Sequence, residues 1–584
     1  MRKVLGRPVA RLVAISALAI ASFAAAAENS GVPASESAAA NSTGPAVTGT
    51  STSGEIMELR RLLREQQRQI DELRKMLSAR TVAAAPEPAP APVASASVAP
   101  APVAPAFPKL GEAASTTPMI PSAASAPAPQ QLKKETDAPP PSPLQLKIGD
   151  TYITPVGFMD FTAVFRDTTA GSGIGTNFGN FPYRTTSSVP GNLTEFRLSP
   201  QNSRVGVRFD TMVKGAKVLG YWESDFLGGI GNPPVGNVEV STNSYPLRLR
   251  LFFVDVQKNK WEILGGQSWS LLTPNRKGIS PLPADVFYSQ VIDVNYMLGL
   301  TCCRYPEFRA VYRPNKTVTM AFALDNPEQY IGGSGGAGVS VLPAALAPSY
   351  ASQLNNGTTT LSVPNVHPDI IAKVAFDGTM SNGNAVHFEV AGIERTFKTY
   401  NALTGQRFTT AGGGFSANLN VELLKGLRLV TNNYYSDGGG RYIFGQAPDL
   451  VIRADGSASL VHSMSTVSGF EYTRKNTLLY AYYGGVYIGR NVVVDTTASH
   501  YSLVGYGFSG SANSQNRSVQ EASIGMNQTL WKDARWGALN FMAQYAYFSR
   551  NPWFVAPETP NHAYMNEFWL NLRYTLPGSA PTMQ

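Results

Sequence analysis

From Asn202 to Asp210 the chain reads NSRVGVRFD, and at period two it sorts into two sides. Arg204, Gly206, Arg208 and Asp210 fall on one; Val205, Val207 and Phe209 fall on the other. That is a strand with one apolar and one charged face. Patterns of this kind recur from Leu146 almost to the C-terminus. A soluble sandwich would turn the charged faces to water. A transmembrane barrel would turn the apolar faces to lipid and keep the charges inside.

Connection lengths separate the two. Sixteen candidate strands span residues 157–166, 195–210, 217–227, 246–257, 261–269, 306–312, 317–326 and 368–376. They continue over 385–395, 415–423, 426–435, 464–474, 477–490, 518–530, 538–548 and 567–576. Short links (211–215, 258–260, 313–316, 377–384, 424–425, 475–476, 531–537) alternate with long ones (167–194, 228–245, 270–305, 327–367, 396–414, 436–463, 549–566). Short turns on one side of a membrane and long loops on the other mark an outer-membrane-type barrel. A sandwich has no reason to segregate loop length. The expected fold is therefore an all-β transmembrane barrel of about 16 antiparallel strands, over residues 146–577. Mean hydropathy of −0.11 fits, because alternating strands average to neutral.

The N-terminal part is organised differently. Residues 1–27 read as a signal peptide, with basic MRKVLGRPVAR before LVAISALAIASF and cleavage near Ala26 or Ala27. Its apolar core is short for a membrane anchor. Residues 28–54, mostly Ser, Ala, Gly and Thr, are expected to be disordered. Within residues 55–80, Ile56, Leu59, Leu63, Gln66, Ile70, Leu73 and Leu77 repeat at 3-4 spacing, a coiled-coil seam. Its helix would be about 33 Å long, marginal alone, and its layers leave two and three strands both open. Residues 81–145 are an Ala/Pro linker reaching about 200 Å as polyproline II or about 45 Å as a flexible coil. It holds the coiled coil away from the barrel, in the periplasm. A spacer touching the cell wall and a mere tether are both open. Residues 578–584 form a C-terminal tail.

Net charge is +8, of which Arg2, Lys3, Arg7 and Arg11 supply +4 in the signal peptide. The excess left for the barrel is modest, so any anion preference must come from where its arginines sit. Arg204 and Arg208 alternate with Val205, Val207 and Phe209. Arg248 and Arg250 oppose Leu247, Leu249 and Leu251. Arg309 and Arg313 oppose Phe308, Ala310 and Tyr312. On neighbouring strands these six form an inward ladder of planar cationic forks suited to carboxylate or phosphate. Asp160, Glu223 and Asp225 share the inner faces and would hold the arginines or set a transverse field. The segment 270–305, with Asp285 and Asp293, is expected to fold inward and narrow the pore, an external cap being the alternative.

Cys302 and Cys303 are the only cysteines, and a vicinal disulfide and two free thiols are both open. Tyr221, Trp222, Trp261, Trp269, Tyr434, Tyr435, Tyr480, Tyr482, Tyr483, Trp569 and Tyr574 lie near strand ends, as interfacial girdles do. The five histidines form no metal cluster, and His462-Ser463 has no evident acidic orienter for hydrolysis. No enzyme activity, metal, cofactor or nucleic-acid partner is expected. Two competing readings are a barrel anchor tethering the outer membrane to the wall and a sugar-specific porin.

The order of signal peptide, short heptad segment, Pro/Ala linker, GFMDFTAVFR and RLSPQNSRVGVRFD resembles the DcaP-like outer-membrane porins. The Ser-Arg-x-Gly strand and WEILGGQSWS, leading to the inward loop, resemble the general trimeric porins. The resemblance implies a 16-stranded homotrimer with an N-terminal coiled coil, passing small anions such as dicarboxylates. Barrels of this kind usually end on an aromatic residue, whereas here FWLNLRYTL is followed by PGSAPTMQ, so assembly is expected to use Tyr574 or a different recognition.

Overall fold

A computed structural model describes Arg68, residues 111–112 and residues 142–577, except 171, 229–244, 287–289, 334–335, 357–362, 446 and 497–500. The signal peptide, the segment 28–54, the seven seam residues, nearly all of the linker and the tail lie outside the described residues.

Period-two alternation becomes sixteen barrel strands. They are β1 (Thr151–Arg166), β2 (Arg204–Val213), β3 (Ala216–Asp225), β4 (Arg248–Lys258), β5 (Trp261–Trp269) and β6 (Arg304–Tyr312). Next come β7 (Val318–Asp325), β8 (Asp369–Thr379), β9 (Ala385–Asn401), β10 (Gln406–Leu424) and β11 (Leu427–Asp437). The last are β12 (His462–Arg474), β13 (Thr477–Ile488), β14 (Asn516–Asp533), β15 (Gly537–Pro552) and β16 (Ala563–Thr575). Each pairs antiparallel with the next, and β16 returns to β1, from Glu567↔Arg166 to Thr575↔Phe158. The ring has no free edge, so every strand finds ladder partners on both sides.

Alternation sets the two faces. Met159, Phe161, Phe252, Val254, Phe308, Phe415, Phe470, Ile524 and Phe568 are exposed on the outside. Their neighbours in sequence turn inward, as Asp160 and Phe253 do. An apolar exterior of this extent suits hydrocarbon, not water.

Three expectations change. Leu251 is fully buried on the inside, not opposite Arg250. Glu223 pairs with Leu251 and Ser224 with Leu249, so Arg250 is the extra residue of a bulge and the phase flips there. Second, 396–414 is not a loop: β9 and β10 run on as a hairpin to Asn401 and Gln406. Gly412, Gly413 and Gly414 imitate a turn in sequence. They sit in the strand because the neighbouring chain is close, and a Cβ on Gly414 would stand 2.6 Å from the Tyr435 carbonyl oxygen. Third, Tyr221, Trp269, Tyr434, Tyr480, Tyr482 and Trp569 are buried in the interior and not in an outer girdle, whereas Trp261 and Tyr435 are exposed outside. The interior is filled, so large inward side chains have something to pack on.

Candidate functional site

The filling comes from the segment between β5 and β6. It crosses the lumen and is held on the far wall through its own backbone. Gly278 N–H donates to Asp377 of β8 (3.0 Å), Asn275 to Glu389 of β9 (3.2 Å) and Thr301 to Asn432 of β11 (2.9 Å). Leu298 donates to Glu521 of β14 (2.8 Å) and Ile292 to Gln544 of β15 (2.7 Å). Buried backbone groups need such partners, and polar inward side chains supply them. Close approach requires glycine: a Cβ on Gly484 of β13 would lie 2.1 Å from the Leu298 carbonyl oxygen.

A second inward loop, 438–461, was not expected. Cys302 N–H donates to Tyr442 O (2.9 Å), Phe444 to Leu300 O (2.9 Å) and Gly299 to Phe444 O (3.0 Å). The two loops thus pair like strands inside the barrel. A disulfide joins Cys302 to Cys303 at this seam, and Cys302 is fully buried. The apolar run Tyr442-Ile443-Phe444, unusual in a polar loop, was the available signal.

All six ladder arginines lie on the inner side, each beside a carboxylate. Arg208 forks onto Asp210 (2.7 and 2.7 Å) and Arg248 onto Asp225 (3.0 and 2.7 Å). Arg250 reaches Glu223 and Asp225 (2.7 Å each) and the Tyr296 hydroxyl (2.5 Å). Arg204 reaches that hydroxyl (3.1 Å) and lies 3.5 Å from Glu223. Arg309 bonds Glu307 (2.6 Å) and the Trp269 carbonyl; Arg313 bonds Glu262 (2.7 Å) and the Ile279 carbonyl (3.0 Å). Access differs. The Arg248 side chain is 36% exposed and that of Arg313 27%, but Arg250 and Arg309 are covered at 1% and 2%. Those two position other groups; a passing solute cannot touch them while the loop is docked.

The acids divide likewise. Glu223 and Asp225 serve the ladder, whereas Asp160 accepts from Arg573 and Asn571 of β16 (2.7 Å each). Asp285 accepts from Ser280 Oγ (2.9 Å) and lies within range of the Arg208 charge; burial raises its carboxyl above the ordinary range. Asp293 does not join the ladder. It accepts from the amides of Thr176 (3.3 Å) and Asn295 (2.7 Å) and is pushed up to about 7 by burial and by Glu567. Tyr296 carries the opposite imprint: burial alone would raise its phenol, but Arg250, Arg204 and Arg304 bring it down to about 8.

Sequence reading missed Tyr296, Arg304 and the basic group near Asp285. There Arg276 pairs with Glu471 (3.0 Å) and Arg428 lies within reach of its charge. The result is a wall on β2–β6 where arginines interleave with the buried carboxylates Asp210, Glu223, Asp225, Asp255, Glu262 and Glu307, and an acid-rich patch of Asp293, Glu521 and Glu567 across the loop, with Arg166 among them.

No family model matches the chain, nor does any curated protein sequence. Solved structures do. The outer-membrane channel DcaP of Acinetobacter baumannii superposes with a TM-score of 0.52 at 16% identity, over 74% of this chain and 99% of that one. The anion-selective porin from Comamonas acidovorans is similar at a TM-score of 0.40 and 11% identity, over 73% of this chain and all of that one (100%). The sixteen-strand closed ring and the 0.52 superposition give one conclusion: the chain has the fold of the DcaP-like outer-membrane porins.

Proposed function

We propose that the protein is an outer-membrane porin for passive diffusion of small anionic solutes, dicarboxylates above all. The apolar exterior faces lipid, and the lumen narrows where the inward loops meet the arginine-bearing wall. One observation carries the reading: Arg208, Arg248 and Arg313 keep partly open guanidinium groups on one side of the lumen, while the loop's Asp293 is turned to the other. An anion entering sheds water against fixed positive charge, and the carboxylates beside these three arginines, Asp210, Asp225 and Glu262, are each engaged by them. Arg204, Arg250 and Arg309 hold the wall in shape, with Glu223 and Asp225 as counter-charges. The protein acts as a homotrimer, with the coiled coil of residues 55–80 and the linker in the periplasm, where contact with peptidoglycan is open to the linker. The mechanism needs no cofactor or covalent step.

Uptake into proteoliposomes tests this. Succinate should enter several-fold faster than lysine of similar size. Equal rates, or faster lysine, would refute the proposal.

A further inference from the structure

One positive imbalance in the lumen is not absorbed by the ion pairs. Around the Tyr296 hydroxyl stand Arg204, Arg250 and Arg304, with Arg248 beside Arg304, whereas the carboxylates among them are Glu223 and Asp225. Both are engaged: Asp225 takes Arg248 and Arg250, and Glu223 takes Arg250 with Arg204 close by. Arg304, the first residue of β6, makes no salt bridge among the described residues. Its guanidinium lies 5.1 Å from the centre of the Trp269 ring, and its Nη1 is buried without an acceptor.

Such a group is costly. A half-buried guanidinium near Arg250 and Arg248 is repelled by both, and its buried orphan N–H keeps its desolvation penalty. An anion lying against it removes both costs at once. Arg248, more than a third exposed, leaves a way in from the end of the barrel where the long connections begin. Four guanidinium groups against two carboxylates leave room for two negative charges, and the forks suit paired oxygens.

We infer that Arg304, with Arg248 beside it, forms a binding site for a small dianion at the outer end of the lumen. The inference rests on the anion-porin reading and narrows it: solutes with two negative charges dwell here, and singly charged ones pass. Tyr296 supports the site from the loop by holding Arg204 and Arg250 in place.

Current block of the purified full-length protein in planar bilayers tests the site, with succinate, sulfate and acetate as probes. Wild type should show saturable block by succinate and sulfate and none by acetate. In Arg304→Gln the half-blocking succinate concentration should rise by about ten-fold or more, as expected for a lost charge-assisted hydrogen bond. Arg304→Lys, which keeps the charge but not the fork, should fall between. Gel mobility with and without heating shows that each barrel is folded. If Arg304→Gln does not fold, the Lys variant decides: a wild-type half-blocking concentration overturns the site. Unchanged block in a folded Arg304→Gln, or equal block by acetate and succinate, overturns it as well, while the reading of an anion porin stands. A cation-selective wild type would instead overturn that reading. Block by sulfate alone would overturn a site that accepts dicarboxylates.

Discussion

The amide N–H of Cys302 donates to the carbonyl oxygen of Tyr442 at 2.9 Å, joining two loops that enter the barrel more than a hundred residues apart. Each loop is therefore part of the other's docking surface. Loosening one should loosen both.

Gly484→Val tests that coupling. Its side chain would occupy the space of the Leu298 carbonyl, and neither backbone is free to move far. Overpacking of this kind costs about 1–3 kcal/mol. Single-channel conductance should rise and become noisier, because residues 297–300 lift and 442–444 follow. An unchanged trace would show that the loops do not set conductance.

Arg395→Met should be among the most destabilising single changes. Arg395 lies 3.0 Å from both Asp369 and Asp449, which belong to β8 and to the second inward loop. Removing the shared cation leaves two buried carboxylates with only Arg441, 3.4 Å from Asp369, to offset them, a loss of about 3–5 kcal/mol. The temperature at which the folded band disappears on gels should drop. Adding Asp369→Asn and Asp449→Asn should restore much of it.

Asp293 predicts a pH dependence. Its carboxyl, pushed up to about 7, binds its proton more tightly in the folded protein than in an unfolded chain. Its contribution to docking is therefore complete below the ordinary carboxylate range, about pH 4, and is lost as pH rises through about 7. Conductance noise should grow between about pH 4 and pH 7 and level off above that. Asp293→Asn should flatten the curve. A wild type equally quiet across that range would contradict the assignment.

Much of this architecture could be read from residue order. Each of the sixteen strands overlaps an expected segment, because a barrel strand must keep one face apolar and one inward. But 195–210 divides into a short strand Glu195–Ser199 and β2, and β9 and β10 run on through 396–414. What escaped was whatever depends on contacts distant in sequence. The flip at Leu251 needs the pairing with Glu223 to be seen. The hairpin through Gly412–Gly414 looks like a turn until Tyr435 is placed beside it. The arginines were legible as inward but not their access, since Arg250 and Arg248 differ only in what the loop covers. Tyr296 and Arg304 carry no local signature; only folding sets them beside Arg250.

The reversal potential of the purified protein in a planar bilayer under a potassium chloride gradient tests the central claim most directly. The account predicts an anion-selective potential that moves toward zero in Arg248→Ala/Arg313→Ala. A cation-selective potential in the wild type would contradict it, since the lumen acids would then govern passage.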